Sequence, residues 1–318
     1  MTTASSPTPR QTASYLMRRF SEAGLRPVTK YGQNFLIDLN LVDLLADSAQ
    51  IEPHDVVLEV GTGTGSLTAM LAQRAAAVVT VEVDSHMHQL ATETLVDVTN
   101  VTMLCLDVLK NKNHFNPLVM ETVREQLAVE PGRRFKLVAN LPYNIATPVI
   151  SNLLSTDPVP ASMTVTIQKE LADRIAAVPS TKDYSALSVW MQSQCDIEIV
   201  RIMPPTVFWP RPKVDSAIIH LTINPDKRSR IPDLDYFHAF VRAMFFHRRK
   251  FLRSELIGFC KDKLDKPGVD AIMQQLHLRP DARAEQLDVE TMLALCAAVR
   301  QNVAEVEEID AEIRTPIN

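Results

Sequence analysis

Short runs of mainly apolar and β-branched residues dominate the first two thirds of the chain. Five of them alternate with helix-length segments of mixed polarity and lie at residues 56–60, 78–83, 101–106, 135–139 and 163–168. Such runs are typical of strands buried on both faces of a parallel sheet, and the alternation is typical of βαβ units. Two further β-rich runs, 196–203 and 216–223, flank a proline-rich connection. The pattern predicts an α/β fold with a seven-stranded, Rossmann-like sheet that closes with an antiparallel pair.

The pattern changes at residues 224–232, which have the composition of a linker and precede a purely helical region. We therefore predict a catalytic domain at 25–223 and a smaller, all-helical domain at 233–300. A tail and short helix (1–24) come before them, and an acidic tail (301–318) comes after. The polar stretch 111–134 is expected to be a surface insertion.

Charge and cysteine content add little to this picture. The formal net charge is −5, and it is close to zero without the acids clustered near the C-terminus, so local basic patches that bind nucleic acid remain open. The four cysteines show no Cys-x-x-Cys spacing, and no apolar run approaches 18 residues. We expect a cytoplasmic monomer without membrane association. Arg10, Arg18 and Arg19 precede the first acid, Glu22, which leaves an organelle transit peptide as an alternative to a frayed tail and basic helix.

Glycines follow the first strand directly, in Glu59-Val60-Gly61-Thr62-Gly63-Thr64-Gly65. A tight strand-to-helix turn and close approach of the backbone to a ligand both favour residues without a Cβ, so Gly61 and Gly63 are candidate ligand contacts. A dinucleotide fingerprint places its third glycine one residue later, where Ser66 stands. The spacing favours S-adenosylmethionine over a nicotinamide dinucleotide.

Carboxylates end the next two strands. Glu82 stands 21 positions after Gly61, where a carboxylate suits hydrogen bonds to a ribose diol. Asp107 ends the third strand and can accept a hydrogen bond from an adenine amine, although an Asp at a strand end is also a common turn former. We assign both residues to the cofactor site.

The fourth strand ends in Asn140-Leu141-Pro142-Tyr143, at the edge where open α/β sheets bind ligands. The exocyclic nitrogen of adenine is a poor nucleophile because its lone pair is delocalised into the ring. Two acceptors, the Asn140 side chain and the Leu141 carbonyl, can hold its N–H bonds and aim the nitrogen at a methyl group. Pro142 fixes φ, and Tyr143 offers a face for a flipped-out base. The motif predicts methylation of an amino group.

A second aromatic residue, Phe208, stands in a proline-rich loop before the last strand. An aromatic beside prolines is commonly a packing residue. Because this loop is expected to overhang the same edge of the sheet, Phe208 is also a candidate to close a base sandwich with Tyr143.

Together these residues resemble the ribosomal RNA small-subunit adenine N6,N6-dimethyltransferase family of the KsgA/RsmA type. The resemblance covers residues 30–287 and includes the glycine and catalytic motifs together with Gly32-Gln33-Asn34-Phe35-Leu36, Gln168-Lys169-Glu170 and Pro212-Lys213-Val214-Asp215-Ser216. It departs from the family where Thr62 replaces a proline and where Ser254-Glu255-Leu256 replaces Asn-Ser-Leu.

The resemblance implies S-adenosylmethionine-dependent dimethylation of two adjacent adenines in 16S ribosomal RNA and a role in small-subunit maturation. It also implies that the methyl donor contacts Asn34, Leu36, Gly61, Glu82, Asp107 and Asn140. Composition alone identifies the first two of these only as loop residues.

Residues 236–256 are predicted to form one helix with an apolar side and a basic side. At 100° per residue, Arg242, Arg249 and Arg253 fall within about 40° of one another. A solvated surface stripe is the alternative. The family's RNA-binding segment coincides with this helix, so we assign ribosomal RNA binding to these three arginines together with Arg248 and Lys250.

Two other functions share parts of this pattern. A large-subunit rRNA methylase of the antibiotic-resistance type differs mainly in its C-terminal helices. A ribosome-assembly factor or an organelle transcription factor can have the same fold and lack methyltransferase activity. Zinc-ligand spacings and phosphate-loop motifs are absent from the sequence, so we predict no metal site.

Overall fold

The computed structural model describes residues 13–22, 24, 26–27, 32–261 and 263–314. Arg10, and Lys30 at the start of the range that carries the family resemblance, lie outside them. The strands are β1 (Phe35–Leu36), β2 (Asp55–Val60), β3 (Ala77–Glu82), β4 (Val101–Cys105), β5 (Leu109–Asn111), β6 (His114–Phe115), β7 (Arg134–Asn140), β8 (Ser162–Gln168), β9 (Cys195–Met203), β10 (Phe208–Trp209) and β11 (Ser216–Ile223).

The helices begin with α1 (Ala13–Glu22), α2 (Leu39–Ser48), α3 (Ser66–Ala72), α4 (Ser85–Thr94), α5 (Pro117–Ala128) and α6 (Ala146–Leu153). They continue with α7 (Lys169–Ile175), α8 (Ala186–Gln192), α9 (Pro225–Ser229), α10 (Leu234–Met244), α11 (Leu252–Phe259), α12 (Lys266–Gln275) and α13 (Val289–Arg314).

Seven strands form one sheet in the order β4-β3-β2-β7-β8-β11-β9, which confirms the predicted Rossmann-like architecture. Neighbours from β4 to β8 are parallel, and β11 is antiparallel to β8. Every residue of β2 and β3 is buried, as expected for inner strands covered on both faces. The carboxyl ends of β2, β3 and β7 therefore meet at one edge.

The stretch 111–134 is not a surface insertion, because half of it forms α5, a helix that packs on the sheet. Asn116 caps this helix by accepting a hydrogen bond from the Leu118 N–H, and Pro117 occupies its first turn. Val119, Met120 and Val123 are buried, and the helix packs on β2, β3 and β7. The segment is the crossover that joins β4 to β7 in the parallel sheet. The many polar residues on the exposed face of α5 explain why the sequence pattern did not indicate this amphipathic helix.

Two compact units divide the chain: residues 1–172 with 196–223, and residues 173–195 with 224–318. The first contains the seven-stranded sheet apart from the first residue of β9. The second is helical, and it includes α8, which the sequence analysis placed in the catalytic domain. Trp190 of α8 is buried against Phe237 of α10, with ring centroids 6.3 Å apart, which explains why this segment belongs to the helical unit.

The predicted single helix 236–256 is wrong, since α10 ends at Met244 and α11 begins at Leu252. Each helix buries an apolar side of its own, Phe240 and Met244 in α10 and Leu252 and Leu256 in α11. A break between them lets both sides pack into the core of this unit. The segment predicted as an acidic tail, 301–318, does not begin as a separate element, because the backbone of α13 is helical from Val289 to Arg314.

Candidate active site

A cavity of about 360 Å³ opens at the carboxyl ends of β2, β3 and β7, and its volume suits a small molecule. The predicted site residues that line it are Asn34, Gly61, Gly63, Glu82, Asp107, Asn140, Leu141 and Pro142. The structure thus brings together residues that are up to 108 positions apart in the sequence.

The glycine loop lies directly against the catalytic motif. Gly61 and Gly63 have φ values of +87° and +55°, which side chains disfavour. A Cβ on Gly61 would lie 3.4 Å from Cδ of Pro142, and one on Gly63 would lie 3.2 Å from the ring of Phe35. The Gly61 N–H donates to the Val81 carbonyl at 2.8 Å, which fixes the loop to β3. The two glycines therefore let the loop pack closely against Pro142 and Phe35 in a backbone conformation that side chains disfavour, and both glycines line the cavity.

Glu82 is a buried carboxylate held by backbone hydrogen bonds. Its Oε2 accepts from the Gly63 N–H at 2.9 Å, and its Oε1 accepts from the Asp84 N–H at 3.0 Å. Burial raises the pKa of the Glu82 carboxyl group, and these bonds oppose the rise. Since each carboxylate oxygen accepts more than one hydrogen bond, Glu82 keeps acceptor capacity toward the cavity.

Asp107 combines the two roles considered for it. Its Oδ1 accepts a hydrogen bond from the Leu109 N–H at 2.9 Å, which forms a local turn, and the residue also lines the cavity. The turn holds the carboxylate in place beside the apolar residues Leu106 and Val108.

Asn140 is oriented by a hydrogen bond to a distant loop. Its Nδ2 donates to the Asn34 carbonyl at 2.9 Å, and a carbonyl can only accept, so the amide nitrogen faces Asn34. The Oδ1 atom is therefore left as the acceptor of this side chain. The Leu141 N–H donates to the Thr166 carbonyl at 3.1 Å, which ties the motif to β8.

Tyr143 is half-buried and lies outside the cavity lining. Its hydroxyl is 2.5 Å from Oγ of Ser216, and burial raises the pKa of the phenol. Ser216 begins β11 and is fully buried, so this contact anchors one end of the ring to the sheet.

Leu36 and Phe208 lie elsewhere than expected. They pair with each other across β1 and β10, and neither lines the cavity. Phe208 is only 2% exposed and belongs to the apolar cluster beside the sheet, with Leu36 packed against it. This placement offers no ring face for a base, because the apolar core already covers Phe208. The structure therefore matches the prediction that Phe208 is a packing residue and not the prediction that it stacks on a base opposite Tyr143.

Sequence reasoning missed the apolar walls of the cavity. Val83 follows Glu82, and Leu106 and Val108 flank Asp107, so these walls are direct sequence neighbours of the two assigned carboxylates. That adjacency was the available signal, because side chains beside a strand-end carboxylate face the same edge. Gln33, which the sequence identifies only as part of the Gly32–Leu36 motif, also lines the cavity, and its Nε2 donates to Asp84 Oδ2 at 3.0 Å.

The five basic residues assigned to RNA binding divide into two groups. Arg253 forms a two-pronged ion pair with Asp270, and Arg248 donates to Glu285 at 2.9 Å and to the Lys182 carbonyl. Arg242, Arg249 and Lys250 are exposed, and none of the three forms an ion pair with another described residue. Since α10 and α11 are separate helices, the predicted single stripe of arginines does not exist.

The sheet, the glycine loop, the strand-end carboxylates and the Asn-Leu-Pro-Tyr motif define a Rossmann-like, S-adenosylmethionine-dependent methyltransferase. A family model described as ribosomal RNA adenine dimethylase matches residues 25–299, and the chain belongs to that family.

Relatives named ribosomal RNA small subunit methyltransferase A come from Bacillus cytotoxicus and Bacillus mycoides. They are 39% and 40% identical to this chain, over 84% of it and 89% of their own length. A dimethyladenosine transferase from Plasmodium falciparum shares the fold, with a TM-score of 0.68 at 24% identity over 83% of this chain and 97% of that one. The 23S rRNA methyltransferase ErmE has a TM-score of 0.60 at 25% identity, over 84% of this chain and all of that one.

Two absences hold within the described part of the chain. No helix there is long and apolar enough to cross a membrane. Likewise, the described histidines, cysteines and acids form no group suited to a metal ion.

Proposed function

We propose that this protein transfers methyl groups from S-adenosylmethionine to N6 of two adjacent adenines in 16S ribosomal RNA and acts in small-subunit maturation. The observation that carries the proposal is the orientation of Asn140, whose amide nitrogen is engaged by Asn34 and whose oxygen is left as an acceptor. The names of the two Bacillus relatives support the small subunit as the substrate.

The residues around the cavity fit the methyl donor. Gly61 and Gly63 allow close approach of the ligand to the backbone. Glu82 would hold the ribose hydroxyls, and Asp107 would accept from the adenine amine beside the apolar walls. When bound, the donor supplies a methyl group already activated by the sulfonium.

The catalytic residues act by positioning. Asn140 Oδ1 and the Leu141 carbonyl accept the two N–H bonds of the target amine, which favours a pyramidal nitrogen aimed at the methyl group. Pro142 limits backbone movement between these acceptors and the next residue. Tyr143, anchored at its hydroxyl by Ser216, presents a ring on which a flipped-out adenine can stack.

For the RNA we propose a basic surface in the helical unit formed by the end of α10 and the turn that follows it. Arg242, Arg249 and Lys250 provide exposed cations for phosphates. Phe246, in the same turn, is 76% exposed and offers a ring to an unpaired base. Arg248 and Arg253 are engaged by Glu285 and Asp270, so we propose that they hold the turn and α11 in place. This separation of roles replaces the single arginine stripe.

We further propose that the protein acts as a monomer in the cytoplasm. All four cysteines are free, and three of them are buried, which fits a reducing compartment.

Nucleoside mass spectrometry of ribosomal RNA from a deletion strain tests the function. We expect N6,N6-dimethyladenosine to disappear from 16S RNA, to return with the wild-type gene and to stay absent with the Asn140→Ala gene. Unchanged 16S RNA, or a loss confined to 23S RNA, would refute the proposal in favour of the large-subunit alternative.

A further inference from the structure

A chain of buried hydrogen bonds connects the glycine loop to a carboxyl group beneath it. Oγ1 of Thr62, in the loop, is 2.6 Å from Oγ1 of Thr80 on β3. Thr80 donates to Oε2 of Glu59 on β2 at 2.6 Å, and Thr68 of α3 donates to the same oxygen at 2.6 Å. All four side chains are at most 4% exposed. None of them lines the cofactor cavity.

The hydrogen bonds have a defined direction. A threonine hydroxyl carries one hydrogen, and Thr80 gives its hydrogen to Oε2 of Glu59, so Thr62 donates to Thr80; a protonated Glu59 keeps this direction with its own hydrogen on Oε1. Burial raises the pKa of Glu59 to about 8, and the neighbouring charge of Glu82 adds to the effect. The Glu59 carboxyl group therefore stays neutral near pH 7, which removes the cost of burying a charge beneath the loop.

The loop needs an anchor at this point. Gly61 and Gly63 flank Thr62, and glycine loses more conformational freedom on ordering than any other residue. The side chain of Thr62 is β-branched and has few χ1 choices, so fixing its hydroxyl also fixes the backbone between the two glycines. The next residue, Gly63, donates its N–H to Glu82. The position of Thr62 thus affects the carboxylate assigned to the ribose.

We propose that Thr80 and Glu59 are positioning residues that act through Thr62 to hold the glycine loop in the conformation that binds the methyl donor. The inference rests on the cofactor site of the proposed function and is independent of the RNA target.

Thr80→Val tests the proposal because it removes the hydroxyl and keeps the shape of the side chain. We expect the Kd for S-adenosylhomocysteine, measured by calorimetric titration, to rise roughly 3- to 20-fold, the scale of one or two lost hydrogen bonds. The kcat at saturating donor and ribosomal subunit should stay within about twofold, since the reacting groups are unchanged. Thr80→Ser should restore the wild-type Kd. Thr62→Val should match Thr80→Val, and the double variant should be no weaker than either single one.

Thr164→Val is the matched control. Thr164 is equally buried on β8 of the same sheet, and its hydroxyl bonds to His220 at 2.8 Å, away from the loop. It should lower Tm without changing the Kd. If Thr80→Val and Thr62→Val lower Tm while both leave the Kd within twofold, the hydrogen-bond chain serves only stability and the proposal is wrong. If Thr80→Val does not fold, Thr62→Val, whose residue lies in the loop and not in a strand, decides alone. Failure of the wild-type protein to bind S-adenosylhomocysteine would instead overturn the proposed function.

Discussion

The Asn140 side-chain nitrogen donates a 2.9 Å hydrogen bond to the Asn34 carbonyl, 106 positions earlier in the chain. This bond joins the catalytic motif to the loop before β1, and both residues line the cofactor cavity. It defines which atom of the Asn140 amide is left to accept a hydrogen bond from the substrate.

Asn140→Ala should abolish methylation while the Kd for S-adenosylhomocysteine rises by no more than about tenfold. The lost acceptor acts mainly on the transition state, whereas the lost bond to Asn34 loosens only one wall of the cavity. Single-turnover rates and calorimetric titration measure the two effects separately. Asn152→Ala is the control, because it removes an amide that bonds to the Lys112 carbonyl at 3.1 Å. Equal losses of rate and affinity in Asn140→Ala would show that Asn140 serves the cofactor.

Glu82→Ala should raise the Kd for the methyl donor roughly 10- to 150-fold, which corresponds to about 1.5 to 3 kcal/mol for a hydrogen bond to a charged group. The kcat at saturating methyl donor should stay close to that of the wild-type protein. Glu121→Ala, at an exposed position on α5, is the control and should change neither quantity. Protection of the wild-type protein from thermal unfolding by NADH, with none from S-adenosylhomocysteine, would contradict the cofactor assignment.

The architecture and the cofactor site could be predicted because their signals are local. Buried strands such as β2 and β3 appear in the sequence as short, mainly apolar runs, and Gly61, Glu82 and Asp107 each stand at or just after the end of such a run. The parallel arrangement then brings the strand ends to one edge without any further information.

The features that the sequence did not reveal depend on packing between distant segments. The helical periodicity of the sequence continues across residues 245–251. The structure nevertheless breaks the helix there, because Met244 at the end of α10 and Leu252 at the start of α11 are both buried. Phe208 is a core residue because β1 pairs with β10, a two-residue ladder too short to leave a pattern. The ion pair between Arg253 and Asp270 joins two helices that sequence spacing cannot relate.

Arg242→Ala, Arg249→Ala and Lys250→Ala should together lower the salt dependence of ribosomal-subunit binding by roughly 2 to 3 units of log–log slope, at about 0.7 to 0.9 per phosphate contact. Binding measured between low and moderate salt gives the slope. The donor Kd should stay unchanged, because none of the three lines the cavity.

Phe246→Ala separates stacking from charge on the same surface. It should weaken subunit binding roughly 5- to 150-fold, the scale of 1 to 3 kcal/mol per stacked base, without altering the slope, and Phe246→Tyr should bind normally.

For the triple variant, Arg124→Ala is the charge control, because Arg124 donates to the Asp157 carbonyl ahead of β8, at the opposite edge of the sheet. An unaltered slope in the triple variant would show that these cations do not contact phosphate.

Stability should depend on pH through Glu59. Its pKa is about 8 in the folded protein and near 4.5 in the unfolded chain, so the folded state keeps a proton that the unfolded state has lost between these values. The contribution is fully present below about pH 4.5 and is lost as the pH rises through about 8. We expect Tm to fall more steeply between pH 6 and about 8.5 in wild type than in Glu59→Gln, which cannot titrate. Parallel Tm profiles for the two proteins would show that Glu59 is already ionised.

Methyl transfer to isolated small ribosomal subunits from the deletion strain tests the central claim most directly. Purified protein and S-adenosylmethionine carrying a labelled methyl group should place label in 16S RNA as N6,N6-dimethyladenosine at two adjacent positions, and Asn140→Ala protein should place none. Label that appears in 23S RNA, in a nucleoside other than adenosine, or at equal levels with the Asn140→Ala protein would contradict this account.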